Sequence, residues 1–223
     1  MSSSAVLSKT RQNIVVNKKS RKQEKLCSRV IDTVHEAIRE KYGYEIVYKS
    51  RLMCHDIVEK LRQLHPDVEY ANVKNTTFLA PDGGITYLKD KEDNLYPILI
   101  GEVKNQGVNA QRLQEGKEKQ PLGNAIERLG KNVIGFHKYM EGETFNPVVC
   151  FGEGCDFAEG SFLLDRVHTI SGFEPINRIS AFNSYGSFFF REEAWTEEEM
   201  FDIFFDVVEI GIKYYVEKYG NIF

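Results

Sequence analysis

Two short apolar runs, Ile85 to Leu88 and Tyr96 to Val103, flank the polar pentapeptide Asp90-Lys91-Glu92-Asp93-Asn94. Runs of this length, rich in β-branched residues and bounded by Gly, Asp and Asn, read as strands. Joined by a short polar turn, they form an antiparallel hairpin. Opposed residues of such a pair have numbers with a constant sum, so a turn centred near residue 92 places Asp82 opposite about Glu102. Glu102 and Lys104 are two apart and share a face of their strand. Asp82, in Pro81-Asp82-Gly83-Gly84, therefore converges with Glu102 and Lys104 at one end of the hairpin. Opposed side chains sit about 5 Å apart, where two carboxylates repel unless a cation lies between them. Oxygen donors favour Mg²⁺, above all where phosphate must also be bound. The same residues read equally as an ordinary Asp-Gly-Gly turn and an ordinary exposed Glu-x-Lys strand pattern.

The rest of the chain alternates helical and extended segments. Leu26, Val30, Ile31, Val34 and Ile38 recur at helical spacing before Gly43, which predicts a helix from about Lys22 to Lys41. A short helix is expected from Asp56 to Leu64, ahead of Pro66, and a strand from Thr76 to Leu79. The polar stretch from Asn105 to Gly123 reads as an arm or loop outside the core. A helix then begins near Asn124, with Ile126, Leu129, Val133, Ile134 and Tyr139 covering one broad face. Pro147 to Phe151 and Phe162 to Leu164 read as further strands. Thr196 with Glu199 forms a capping box ahead of Met200, Ile203, Phe204, Val207 and Ile210, which predicts a long final helix to about Tyr219. The pattern indicates an α/β domain with a mixed central β-sheet flanked by helices.

The 223 residues, 42% of them hydrophobic, suit one domain, read as residues 21–223 behind a basic, flexible arm at residues 1–20. The net charge of −4 argues against nucleic acid as a partner until its distribution is considered. Residues 1–26 carry seven cations against the single acid Glu24, which leaves the remainder at −10. That basic start reads equally as a solvated tail or as a phosphate-binding arm. Without a long apolar run or a signal-peptide pattern, the chain is expected to be soluble and cytoplasmic, with no membrane contact. Its four cysteines, Cys27, Cys54, Cys150 and Cys155, match no common zinc spacing and read as reduced thiols.

The stretches APDGG, GEVKNQG, GNAIERLGKN, FGEGCDF and MFDIFFDV resemble, in the same order, those of the EcoRI-like type II restriction endonucleases, members of the PD-(D/E)xK nuclease superfamily. The resemblance implies a restriction-endonuclease-like fold, a homodimer straddling palindromic double-stranded DNA, and Mg²⁺ as cofactor. It also implies a prokaryotic cell holding a cognate adenine methyltransferase for the same site. Carried over by position, Asp82 and Glu102 would bind Mg²⁺ with the carbonyl of Val103, and Lys104 would orient or deprotonate the attacking water. Glu59 matches a helical glutamate that holds water or metal, although an exposed helix face explains it equally.

Asn124, Ala125, Glu127 and Arg128 fall in the segment that reads a central AATT in this family, and Lys131 would touch backbone phosphate. Asn is the natural bidentate partner of adenine, and Glu can fix Arg while accepting from an exocyclic amine. Asn124 with Glu127 would serve equally as a helix cap. Gln106 matches a base-contacting position, and Arg178 is the one arginine in the segment matching the family's reader of the outer base pair, so GAATTC, another flanked AATT and AATT alone all stay open. Two other functions compete: a sequence-specific DNA-binding protein that does not cut, and a PD-(D/E)xK nuclease of DNA repair.

Overall fold

The computed structural model describes residues 3–105, 114, 116, 123–154, 157, 186–220 and 222–223, with side chains from residue 21 onward and, in the helix starting at Gly123, from residue 129. In chain order the elements are α1 (Ser3–Tyr42), β1 (Ile46–Lys49), β2 (Leu52–Met53), α2 (Cys54–Leu64), β3 (Phe78–Leu79), β4 (Gly84–Lys89) and β5 (Leu95–Asn105). There follow α3 (Gly123–Tyr139), β6 (Val148–Glu153), β7 (Ser187–Arg191) and α4 (Glu197–Tyr219).

Among the described residues, five strands form one mixed sheet in the order β1-β4-β5-β6-β7, antiparallel from β1 to β5 and parallel from β5 to β7. β2 and β3 make a separate antiparallel pair. The sheet is covered on both faces. On one, α1 and α4 bury Val30, Ile31, Val34, Phe204 and Val207 against Leu99 and Val103. On the other, Ile57 and Leu61 of α2 and Phe136 of α3 pack on Ile85, Tyr87 and Ile100. The expected α/β architecture with helices about a mixed sheet is present.

The hairpin forms around its polar turn. Asp90 holds it by accepting from the backbone N–H groups of Glu92 at 2.9 Å and Asn94 at 2.8 Å. Register departs from a simple constant sum. Tyr87 pairs with Pro97 but Thr86 with Leu99, so Ile98 is an extra residue on β5. Beyond this bulge each β4 residue meets a partner one position later than the turn alone would dictate, and Gly84 lies opposite Gly101.

Other boundaries also differ. The first helix runs back as helical backbone to Ser3, beyond the start expected at Lys22. β1 and β7, which the sequence patterning does not reveal, stand at the two ends of the strand order among the described residues. Ile134 is 60% exposed rather than buried, and Phe136 and Met140 join Leu129 and Val133 on the inner stripe. A helix turns about 100° per residue, so Ile134 cannot share the stripe of Val133 and Phe136. The final helix has the capping box, with Thr196 accepting from the Glu199 N–H and the Glu199 side chain accepting from the Thr196 N–H. The strand expected at Phe162 to Leu164 lies outside the described residues.

Candidate active site

Two glycines let α1 lie close against the end of the hairpin. A β-carbon on Gly83 would fall 2.6 Å from Ile31 Cδ1 and 2.8 Å from Cys27 Sγ, and one on Gly101 would fall 2.9 Å from Ile31 Cδ1. The chain enters β4 through Gly84, whose φ of +72° a residue with a side chain adopts only under strain. Asp82 thereby sits at the mouth of the hairpin, where the Gly83 N–H donates to the Gly101 carbonyl at 2.9 Å.

Asp82, Glu102, Val103 and Lys104 come together there. The Lys104 ammonium donates to Asp82 Oδ2 at 2.9 Å, to the Val103 carbonyl at 3.0 Å and to Glu102 Oε1. Backbone groups lock the carboxylates in turn: the Asp82 N–H donates to Glu102 Oε2 at 3.1 Å, and the Val103 N–H to Asp82 Oδ2 at 3.3 Å. Glu102 is only 3% exposed. Burial, with the nearby Asp82 charge, pushes its carboxyl above the usual range against the pull of Lys104. For Lys104, burial opposes the charge, but the two carboxylates outweigh it and hold the ammonium above its ordinary value.

Asn132 of α3, which sequence reasoning missed, donates from Nδ2 to Glu102 Oε1 at 3.3 Å. Its signal was an Asn inside a helix, beside Leu129 and Val133, where Asn is a poor helix former. α1 also borders the site. The Glu24 carboxyl is raised chiefly by burial and next by the charge of Asp82. Burial raises the thiols of Cys27 and Cys150 as well, which keeps them protonated beside the cluster. Cys27, Cys54 and Cys150 are free thiols, and Cys155 lies outside the described residues.

Glu59 is not brought to the cluster. It is exposed on α2 and pairs with Arg62 at 2.6 Å, one helical turn on. Asn124, Ala125, Glu127 and Arg128 lie in the first turns of α3, whose side chains are outside those described, and Lys131 is exposed farther along the same helix. Gln106 and Arg178 lie outside the described residues.

The donor set fits a hard divalent cation. Three oxygens, two of them carboxylate, converge on one position, and the Lys104 ammonium marks it as a place for positive charge. Among the described residues no group of three His, Cys, Asp or Glu side chains is placed to hold a metal ion, so such a site rests on two carboxylates and a carbonyl. No helix among those residues is long and apolar enough to cross a membrane.

The chain is 35% identical over 153 residues to the type II restriction enzyme RsrI of Cereibacter sphaeroides, covering 61% of this chain and 55% of that one. It is 28% identical over 127 residues to the type II restriction enzyme EcoRI of Escherichia coli, covering 53% and 46%. These matches span about half the length of each relative. The family described as Restriction endonuclease EcoRI matches residues 8–169, a span that holds the hairpin, the charged cluster and α3. The chain belongs to the EcoRI family of restriction endonucleases.

Proposed function

We propose that this chain hydrolyses phosphodiester bonds of double-stranded DNA as a Mg²⁺-dependent type II restriction endonuclease. The convergence of Asp82, Glu102, the Val103 carbonyl and Lys104 at the end of β5 carries this reading. Asp82, Glu102 and Val103 would hold the cation, and divalent metal use is general in the family. When bound, Mg²⁺ supplies charge that stabilises the phosphorane-like transition state and the departing 3′ oxygen. Lys104, held as an ammonium by its two carboxylate neighbours, orients the water that attacks phosphorus in line. Asn132 of α3, on the face of the sheet that Glu102 points to, donates to the Glu102 carboxylate.

The site read is a palindrome with a central AATT, recognised from the start of α3 by Asn124, Ala125, Glu127 and Arg128. Gln106 and Arg178 add base contacts and Lys131 a phosphate contact. Two protomers act on the two strands, and a cognate adenine methyltransferase protects the host. The test is incubation of plasmid DNA with the protein and Mg²⁺, followed by sequencing of the ends. Discrete ends at one AATT-centred palindrome are expected, with Asp82→Ala inactive. Retarded but uncut DNA would mark a binding protein, and cleavage set by DNA structure would mark a repair nuclease.

A further inference from the structure

We propose that Lys104 is the resident counter-cation of the metal-free site and must vacate it before a divalent cation can bind. The inference rests on the reading of Asp82, Glu102 and Val103 as cation ligands. The ammonium does not merely lie near that site: it donates to one oxygen of each of these residues. A metal ion on those oxygens and a lysine on the same oxygens exclude each other by volume and by charge.

The frame around the lysine is built to survive its departure. Asp82 Oδ2 keeps the Val103 N–H, Glu102 Oε2 keeps the Asp82 N–H, and Glu102 Oε1 keeps Asn132. None of these donors belongs to Lys104. Without a cation of some kind, however, two facing carboxylates, one of them buried, would stand uncompensated, which is strongly destabilising. Lysine suits the exchange because its charge is a single point on a flexible four-carbon stem, with three rotatable donors that can turn to a water or phosphate oxygen. Release from the carboxylates is thus the same motion that delivers the ammonium to the reacting water. It also lowers the apparent cation affinity, because only the vacated state binds.

The test uses the full chain without DNA. Acetylation of each lysine is followed by peptide mass spectrometry with and without Mg²⁺, with Lys213, whose side chain is 71% exposed, as internal reference. Lys104, whose side chain is 16% exposed, should label slowly in the metal-free protein. Mg²⁺ should raise its labelling several-fold and leave Lys213 unchanged. In parallel, melting temperature is titrated with Mg²⁺ for wild type and Lys104→Met. The variant should melt lower without metal and half-saturate at a concentration about tenfold lower or less, the effect of removing a competing charge. Lys104 labelling that stays constant while Mg²⁺ saturates the wild-type melting shift overturns the exchange and leaves the cation site standing. Absence of any Mg²⁺ response in both proteins overturns the cation-site reading and this inference together.

Discussion

Glu102→Gln keeps the shape of the buried side chain and removes its charge, so its consequences can be worked from the hydrogen bonds alone. Among the described residues only donors approach Glu102: the Lys104 ammonium and Asn132 Nδ2 at Oε1, and the Asp82 N–H at Oε2. An amide offers one oxygen, so its NH₂ must face either the Asp82 N–H or the Lys104–Asn132 pair. One buried donor then stands against another. Leaving a buried donor unsatisfied costs about 1–3 kcal/mol. For a chain of this size each 1 kcal/mol lowers the melting temperature by about 2–4 °C. The loss in cleavage should be larger, because a carboxylate ligand contributes several kcal/mol of charge stabilisation to phosphoryl chemistry, a rate factor on the order of 10² to 10³. Single-turnover cleavage of a plasmid and a thermal melt of the same sample separate the two effects. Cleavage by the variant at the wild-type rate would refute the placement of Glu102 in the reacting centre. An unchanged melting temperature would refute the donor-against-donor argument.

Gly84→Ala should lower stability by about 1–2 kcal/mol, because φ is +72° and the new carbon would lie 2.4 Å from the Tyr48 ring; a melt within 1 °C of wild type would show that the entry to β4 can relax. Glu199 is held at about 2, well below the usual glutamate range, first by Arg191 and then by the Thr196 cap. A depressed carboxylate contributes stability above its unfolded value and loses it as pH falls through the folded one, so the melting advantage of wild type over Glu199→Gln should shrink between about pH 4.5 and 2, and a constant difference would contradict the ion pair. If Asn124 pairs with an adenine of AATT, N6-methylation of that adenine should cost about 1–3 kcal/mol per half-site; equal cleavage of methylated and unmethylated duplexes would leave Asn124 only a helix cap.

What the sequence disclosed about the site was local. Residues 82–104 form one hairpin, and its turn is fixed by Asp90 within the turn itself, so Asp82, Glu102 and Lys104 could be brought together from spacing alone. The one-residue shift in register arises at Ile98, next to Pro97, which has no N–H to give the ladder. A proline there hinted at an irregularity, but not at its direction. β1 and β7 are short strands whose patterns carry meaning only beside their partners, Gly84–Lys89 and Val148–Glu153. Asn132 reaches Glu102 from a helix that begins 21 residues later in the chain, and only tertiary packing could show that contact. Glu59 illustrates the converse, since a matched position on a helix did not carry its side chain into the cluster.

The tetrapeptide Gly101-Glu102-Val103-Lys104 divides its work by the pleat of the strand. Gly101 and Val103 face α1 and α4: Gly101 is where Ile31 and Phe204 would meet any side chain, and Val103 is 4% exposed in the same core. Glu102 and Lys104 face the other way, toward α3 and the cluster. The glycine in this motif is thus a packing requirement, imposed by a helix about seventy residues upstream, while the charged pair is a chemical one. Val103 belongs to both, because its side chain anchors the strand and its carbonyl joins the oxygens that hold Lys104. A substitution such as Gly101→Val would leave every charged group of the site in the sequence and still displace them. The pressure from Ile31 would push β5 away from α1 and open the Asp82 to Glu102 contact on which the whole arrangement depends.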